Sequence, residues 1–437
     1  MKKGTGVPKA VVLGGYGLIG SACMRALAQS GFDVVGLGRS HKAAEIADAT
    51  AQWIIRDIPT ISVAEWRDIL ADADVVVNAA GALQDGLLDD LEAIHVTAIA
   101  QLAQAAADLP VRVIQISAAG VTQQSSTAFF RTKARADAAL MSTLQNWVIL
   151  RPTLLLAPQA YGGTAVLRAA AAIPFVHPDV LPDAQIQTVH IDDVTAAVVL
   201  AAKGEIPAGT IADLTEPEAQ SLPDLIARIR AWQGWPTPRV SLRMPGVCLS
   251  VAGRVADLLG LLGWRSPLRT TALRVLSDGV RGDPQAWDAA GGPPCRSLGD
   301  TLRALPSTRQ ERLYARAYLA LPVAIGVLAL FWLLSGVIAL CDVQRAMAVL
   351  VDQRAPRWMI APSVIGGAVA DVLLGLAILY RPWTKRAALG MIGLSAAYLL
   401  GGLALAPDLW SDPLGPMIKV FPGIALALMV WLMVEDR

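Results

Sequence analysis

The stretch that decides the fold of the N-terminal part is the glycine-rich turn Gly14-Gly15-Tyr16-Gly17-Leu18-Ile19-Gly20, which directly follows the apolar run 10–13. The run predicts a strand, and residues 19–30 predict a helix that stops at Gly31. Glycines at 14, 17 and 20 suit a positive φ, a close approach to a phosphate and tight helix–strand packing, and a helix N-terminus attracts negative charge. The stretch predicts a dinucleotide-binding turn, with a tight turn that binds no ligand as the alternative.

Alternating short apolar runs and amphipathic stretches, from residue 9 to about residue 152, indicate an α/β fold with a doubly wound parallel sheet. The predicted strands are 10–14, 33–37, 52–56, 74–78, 112–117 and 147–151. The further predicted helices are 64–71, 88–109 and 130–144. Residues 153–306 are richer in Pro and Gly and predict a small C-terminal lobe, in which Asp193 caps a helix that runs to Ala202. We expect one nucleotide-binding domain over residues 1–306, with its core at 9–152.

The composition becomes strongly apolar after Arg316, which agrees with a hydrophobic content of 54% over the 437 residues. The segments 319–340, 360–380, 387–406 and 417–434 each approach the ~20 residues that a bilayer core requires. Residues 307–437 therefore predict an all-α bundle of four transmembrane helices. The link 381–386 holds three basic residues and the link 407–416 holds acids and no base, so both termini and the nucleotide-binding domain should be cytoplasmic. We expect a multi-pass protein of a bacterial-type inner (plasma) membrane, in which Arg345, Arg354 and Arg357 lie in an outer link.

The charge balance and the distribution of metal-binding residues argue against two classes of partner. The formal net charge is +1, so the chain as a whole has no field that would hold a nucleic acid. The four cysteines and four histidines are widely separated, which predicts free thiols and no metal site.

The end of the second strand bears on the choice of cofactor. Residues 34–40 contain no acidic side chain that would bind a ribose 2′-hydroxyl, whereas Arg39 can form charge-assisted bonds to a 2′-phosphate. Arg39 and the adjacent Ser40 therefore favour NADP(H) over NAD(H). A solvent-exposed arginine without that role is the alternative.

Further motifs follow in a characteristic order: Arg56-Asp57-Ile58, Asn78-Ala79-Ala80-Gly81, Ser117, Lys133, Arg151-Pro152 and His190-Ile-Asp192-Asp193-Val194. With the glycine turn, they resemble the landmarks of extended and atypical short-chain dehydrogenases/reductases, most closely the branch with the NDUFA-nine-like accessory subunits of respiratory complex I. The segment from Phe331 to Lys419 resembles the DoxX-like membrane family. The first resemblance implies that the glycine turn, Asp57, Ile58 and residues 78–81 line the cofactor. It also implies that Lys133 binds the nicotinamide ribose and, with Ser117, has a catalytic role.

The chain departs from the reductase pattern at the proton donor. In active members of the family a tyrosine stands four residues before the lysine, which lowers the tyrosine's pKa; here that position is Phe129. No tyrosine occurs between Tyr16 and Tyr161. Ser117 and Tyr161 are candidate replacements, and their alternatives are a serine that bonds nearby backbone and a packed loop aromatic.

Several features of the apolar segments allow two interpretations. Asp371 should face the bundle, a partner or a cavity, or be protonated, and Lys419 can extend toward the membrane surface. Glycines in the second and third spans permit close helix packing or line a quinone or lipid cleft. Residues 247–263 contain two charges, so they predict a helix packed in the lobe or lying on the membrane surface rather than a fifth span.

Two functions remain open from the sequence. The first is a membrane-tethered oxidoreductase that uses NADPH to reduce an apolar compound such as a quinone. The second is a non-catalytic NADPH-binding scaffold or assembly factor with a membrane-protein partner, in which the nucleotide stabilises the fold by mass action. Phe129 favours the second function, and the apolar bundle is compatible with both.

Overall fold

The computed structural model describes residues 6–86, 90–264, 266–353 and 355–434, which belong to two compact units. The first unit contains Met1–Asp257 and Ser266–Arg312, and the second contains Leu258–Arg265 and Leu313–Arg437. The predicted helix start at Leu88 and the link residue Arg354 lie outside the described residues.

A parallel seven-stranded sheet is the centre of the first unit. The strands of the described residues are β1 (Lys9–Leu13), β2 (Asp33–Gly38), β3 (Gln52–Ile55), β4 (Val75–Asn78), β5 (Arg112–Ile116), β6 (Trp147–Pro152), β7 (Leu154–Leu156), β8 (Val176–Asp179), β9 (Gln185–Ile186), β10 (Thr188–His190), β11 (Thr210–Leu214), β12 (Gln220–Ser221) and β13 (Val240–Arg243). The order across the sheet is β3-β2-β1-β4-β5-β6-β11, the strand order of a Rossmann fold extended by one strand. The six predicted strands are confirmed, each within one residue at either end. The Val- and Ile-rich runs of β1, β4, β5 and β6 are buried because helices cover both faces of the sheet.

The helices of the first unit follow the strands. They are α1 (Leu18–Gln29), α2 (His41–Ala47), α3 (Val63–Leu70), α4 (Ala98–Ala106), α5 (Ala128–Thr143), α6 (Gly163–Ala171), α7 (Ile191–Ala202), α8 (Leu222–Trp232), α9 (Gly246–Leu261), α10 (Thr270–Ser277), α11 (Gln285–Ala289) and α12 (Leu298–Ala304). The last turn of α9, from Leu258 onward, belongs to the second unit. A 3-10 turn at Ile58–Thr60 follows β3, and a π-helical turn at Glu92–Thr97 precedes α4. The single helix predicted at 88–109 is therefore a π-helical turn joined to a shorter α-helix.

Residues 153–306, expected as a small lobe, also complete the central sheet. They provide its edge strand β11, which pairs with β6, and they provide α7, which packs against α1. The predicted cap of α7 is wrong: His190 occupies the N-cap position and its Nδ1 accepts a hydrogen bond from the Asp192 amide at 3.1 Å. Asp193 lies in the first turn, where its carboxylate accepts from the Arg296 amide at 2.9 Å. Strand β10 continues directly into α7, so the last residue of the strand takes the capping position.

The C-terminal region is helical throughout its regular structure. Its helices are α13 (Arg309–Cys341), α14 (Val343–Asp352), α15 (Arg357–Ala377), α16 (Thr384–Leu405), α17 (Asp408–Ser411) and α18 (Val420–Met433). Among the described residues, α13, α15 and α16 are long and apolar enough to cross a bilayer. Several of their large apolar side chains, among them Phe331, Leu373 and Leu400, are more than half exposed, as expected of a surface that faces lipid.

The fourth predicted span is shorter than expected. Helix α18 has 14 residues, fewer than the ~20 that cross a bilayer core perpendicular to its plane. Residues 417–419, predicted as the start of the span, form turns instead, and Gly415 shortly before them has a positive φ of 60°. Lys419 is the N-cap residue of α18.

Candidate functional site

The glycine turn packs directly against the turn that follows β4. Gly14 has a φ of +69°, and the amides of Gly14 and Gly15 both donate to the Leu37 carbonyl oxygen, at 2.9 and 3.2 Å. A Cβ atom at Gly14 would lie 2.9 Å from Ala80 Cα and 3.0 Å from Ala80 N. These are backbone atoms, so a side chain at position 14 would displace one of the two turns. The structure thus brings together the glycine turn and residues 78–81, both of which the resemblance expects to line the cofactor.

The N-terminus of α1 has the features of an anion site. Gly17 is the N-cap residue, its amide donates to the Gly14 carbonyl oxygen at 2.8 Å, and no side chain of the described residues caps the helix. The first amides of α1 are therefore not satisfied by a cap and are suited to a phosphate. Gly20 faces the Gly14 carbonyl group so closely that a Cβ would collide with it. These residues fit the pyrophosphate of a dinucleotide.

The ends of β2 and β3 form the neighbouring part of the site. The Tyr16 ring lies over Gly38, and its hydroxyl accepts a hydrogen bond from the Arg39 amide at 3.3 Å. The Arg39 side chain is exposed, whereas the Ser40 hydroxyl caps α2 by accepting from the Ala43 amide at 3.2 Å. After β3, Asp57 is exposed and Ile58 is buried. Arg39 and Asp57 are thus accessible to a ligand, while Ser40 has a structural role as well.

Lys133 and Ser117 lie together at the carboxyl end of β5. Buried Lys133 donates from Nζ to the Ile116 carbonyl oxygen at 2.9 Å. The Ser117 hydroxyl donates to Asp137 Oδ2 at 2.8 Å, and Arg151 donates to the same oxygen at 3.0 Å. Ser117 therefore bonds a side chain, not the nearby backbone that the sequence suggested as the alternative.

Burial has the largest effect on the pKa values of the ionisable groups in this cluster. Burial lowers the pKa of Lys133 to about 8, against the opposing effect of the Asp137 carboxylate. Burial also raises the pKa of Asp137, while the Ser117 hydroxyl and Arg151 act in the opposite direction. Asp137 Oδ1 is buried and has no hydrogen-bond partner among the described residues. Lys133 is thus mostly protonated at neutral pH, next to a carboxylate that its surroundings only partly satisfy.

Phe129 occupies the position expected for the proton donor. It lies one helical turn before Lys133 on α5, and the centre of its ring is 5.8 Å from Lys133 Nζ. The same ring meets His95 edge-on, with 5.8 Å between the ring centres. Tyr161, the other candidate acid, lies in the segment before α6 and is 55% exposed. The position that holds the tyrosine in active members of the family is therefore filled by a half-buried phenyl ring, which has no proton to transfer.

His95 was not identified as a site residue from the sequence, but in the structure it contacts several residues around the site. Its Nε2 accepts from the Ala82 amide at 3.2 Å, and its Nδ1 lies 2.9 Å from Thr132 Oγ1. An accepting Nε2 places the ring proton on Nδ1. Burial, with a smaller contribution from Lys133, lowers the pKa of His95 to about 3, so the ring is neutral near pH 7. A Cβ atom at Gly81 would lie 3.0 Å from His95 Nε2 and 3.8 Å from Lys133 Nζ, so the three residues meet.

A second polar cluster lies among the apolar helices. Asp371 on α15 is buried, and its two carboxylate oxygens accept from Tyr398 on α16 at 2.6 Å and from Ser335 on α13 at 2.9 Å. Gly367 faces Tyr398 so closely that a Cβ would lie 2.8 Å from its hydroxyl oxygen. The aspartate thus faces the bundle interior and links three helices, one of the outcomes that the sequence left open.

Two segments of the chain match known protein families. Residues 14–199 match the NAD(P)H-binding family, and residues 329–428 match the DoxX-like family. A comparison with curated proteins gives no match.

Solved structures resemble the N-terminal part. A putative epimerase from Burkholderia cenocepacia J2315 is 21% identical with a TM-score of 0.52, over 71% of this chain and 100% of that chain. The Bordetella bronchiseptica enzyme WbmG in complex with NAD is 16% identical with a TM-score of 0.52, over 70% and 94%. UDP-glucose 4-epimerase from Thermotoga maritima is 14% identical with a TM-score of 0.52, over 71% and 99%. Likeness at these identities shows a shared fold.

The glycine turn, the strand order and the two family matches support one description. Residues 14–199 match the NAD(P)H-binding family on a Rossmann fold like that of solved epimerase structures, and residues 329–428, which include apolar helices, match the DoxX-like family.

Proposed function

We propose that the protein is a membrane-anchored NADP(H)-dependent oxidoreductase that reduces a quinone or a similar apolar compound from the bilayer. The observation that carries the proposal is the buried Lys133, which is retained at the carboxyl end of β5 although Phe129 stands in the place of the proton donor. Phe129 taken alone favours a scaffold, but beside Lys133 it limits an oxidoreductase to one kind of acceptor. Such a site favours an acceptor that can be reduced without a proton from a neighbouring side chain.

The residues of the chain fit the cofactor at three points. The uncapped N-terminus of α1 and Gly17 suit the pyrophosphate. Exposed Arg39 suits a ribose 2′-phosphate, which favours NADP(H), and Lys133 suits the nicotinamide ribose. When bound, NADPH supplies a hydride to the acceptor.

The chemistry of the acceptor follows from the missing phenol. Reduction of an ordinary ketone or aldehyde creates a strongly basic alkoxide, so a positioned acid contributes ~10²–10⁴-fold to the rate. A quinone that accepts a hydride becomes a hydroquinone monoanion, whose charge is delocalised over the ring and which is much less basic. This anion takes up the one proton that completes the hydroquinone later, from water. Lys133, with a pKa of about 8, provides a positive charge that stabilises such an anion at neutral pH.

The proposed acceptor is a compound dissolved in the bilayer. The three long apolar helices, which contain Ser335, Asp371 and Tyr398, support a membrane protein. The basic link at 381–386 favours a cytoplasmic nucleotide-binding domain in a bacterial-type inner membrane. There the domain would meet both cytoplasmic NADPH and lipid-soluble compounds.

A second candidate function has its own supporting observation. Ser117 and Lys133 donate to Asp137 and to the Ile116 carbonyl oxygen, so both polar candidates are engaged inside the protein. This arrangement favours a non-catalytic NADPH-binding scaffold or assembly factor of a membrane complex of the respiratory type. In that role bound nucleotide would add about 2.7 kcal/mol of stability when its concentration is a hundred times Kd.

The test measures NADPH oxidation by the purified full chain in lipid nanodiscs, with and without a short-chain quinone. We expect oxidation that depends on the quinone and falls strongly in Lys133→Met. The matched control is Lys203→Met, since Lys203 is an exposed lysine at the end of α7. Tight NADPH binding without oxidation by any quinone tested would reject the oxidoreductase in favour of the scaffold.

A further inference from the structure

Helix α9 has an apolar stripe on its exposed side. Val247, Val251, Val255, Leu258 and Leu261 are each more than half exposed. Their spacing of four, four, three and three residues places them on one face of the helix. Five large apolar side chains on one exposed face are unusual for a helix whose surroundings are water alone.

The opposite side of α9 packs against α10. Gly253 and Ala256 are buried, and a Cβ atom at Gly253 would lie 3.0 Å from Thr270 Cγ2 and 3.1 Å from Leu273 Cδ1. The orientation of the helix about its own axis is therefore fixed by packing, and the apolar stripe faces away from α10.

Helix α9 carries two charged side chains, and both can remain in polar surroundings when the stripe contacts an apolar medium. Asp257 is paired with Arg269 at 3.1 Å and accepts from the Thr270 hydroxyl at 2.7 Å, so its charge is directed toward α10. Arg254 is exposed and lies on the same face as the stripe, three residues after Val251 and four before Leu258. A long arginine side chain can keep its charge in a polar layer while its methylene groups contact apolar material.

The end of α9 is tied to the link between two apolar helices. The Arg381 amide donates to the Leu262 carbonyl oxygen at 2.9 Å, and the Trp264 indole donates to the Leu379 carbonyl oxygen at 2.7 Å. The Arg381 guanidinium also lies 5.4 Å from the centre of the Trp264 ring. These contacts lie between the ends of α15 and α16, where Tyr380 and Trp383 also occur. Tryptophan, tyrosine and arginine together are typical of the membrane–water interface.

We propose that α9 lies in the plane of the bilayer surface, with the stripe from Val247 to Leu261 inserted among lipids at the boundary between headgroups and acyl chains. The occupant of the stripe is lipid, because the residues directly after α9, Leu262 and Trp264, are held at the link where two long apolar helices end. An interfacial helix of this kind inserts its apolar face ~5–10 Å into that boundary. The assignment selects the membrane-surface alternative for residues 247–263.

The proposal is tested by measuring the depth of single positions in the full chain, reconstituted in vesicles. Cys248 and Cys341 are exposed, so they are first replaced by serine, and an environment-sensitive fluorophore is attached at Val251→Cys or Leu258→Cys. The matched control is Ala252→Cys, which is exposed but points about 120° away from the centre of the stripe. Thermal unfolding of each labelled protein verifies that the fold is retained.

We expect blue-shifted emission at positions 251 and 258, strong quenching by nitroxide-labelled lipids, and protection from iodide in the water. Position 252 should show the weaker lipid quenching and the stronger iodide quenching. Iodide quenching at 251 and 258 equal to that at 252 would overturn the proposal. Blue-shifted emission without lipid quenching would also overturn it, because the stripe would then be covered by protein.

Discussion

The close contact between Gly14 and Ala80 predicts how strongly a side chain at position 14 would disturb the fold and nucleotide binding. Gly14→Ala adds a Cβ atom 2.9 Å from Ala80 Cα at a backbone φ of +69°. The left-handed conformation costs roughly 1–2 kcal/mol for a residue with a Cβ atom. Forcing a methyl group into packed backbone costs about 1–3 kcal/mol more, and moving the turn apart relieves that part.

Nucleotide binding should detect the displaced turn. If binding requires the original spacing of the two turns, the packing strain opposes it, and the Kd for NADPH should rise roughly 5- to 150-fold. The assay is calorimetric titration of the detergent-solubilised full chain with NADPH. The control is Gly31→Ala, because Gly31 has a φ of +91° and nothing within 4 Å of an added Cβ. It should lower thermal stability and leave the Kd unchanged. Equal affinity in Gly14→Ala and the unmodified protein would refute the assignment of this turn to the phosphate site.

Three further predictions concern the cofactor, the lysine and the membrane. Arg39→Asp should reverse or abolish a preference for NADPH over NADH in paired titrations, and equal affinities in the unmodified protein would contradict the role of Arg39. Because the pKa of Lys133 is about 8, quinone-dependent NADPH oxidation should fall as the pH rises through that value and the ammonium loses its proton. Lys133→Met should lack this step in its pH profile, whereas an unchanged step would assign it to another group. A reporter inserted near Lys385 should be cytoplasmic and one near Asp412 external; the opposite result would reverse the proposed orientation.

The central sheet was predictable because its signals are local. Each of the six predicted strands is a short apolar run beside a turn or a helix, and the glycine turn fixes the first strand and helix within about twenty residues. Strand β11 was missed because Thr210–Leu214 follows a segment rich in turns and ends in an aspartate and a leucine, a weak alternation. Its assignment depends on pairing with β6, which is distant in sequence.

The candidate site was predictable only in part, because only some of its residues belong to motifs that are local in the sequence. Gly14, Gly81 and Lys133 were found because they belong to recognisable motifs. His95 and Asp137 belong to none, and their importance arises from contacts with Ala82, Thr132 and Ser117 that only the folded chain creates.

Two local predictions failed because a neighbouring element decided the outcome. His190, not Asp193, caps α7, because β10 runs directly into the helix. The fourth apolar segment begins as turns after Gly415, so hydrophobicity alone overestimated the length of α18.

The central claim, that this site reduces an acceptor which needs no phenolic proton donor, is tested most directly by one ratio. It is the rate of quinone-dependent NADPH oxidation divided by the rate with a small aldehyde, measured for the unmodified protein and for Phe129→Tyr. We predict a high ratio for the unmodified protein, and a lower one for Phe129→Tyr, because a phenol one turn before Lys133 supplies the proton that aldehyde reduction lacks. An unmodified protein that reduces the aldehyde as fast as the quinone, and loses that activity in Ser117→Ala or Tyr161→Phe, would contradict the claim and show that another group donates the proton.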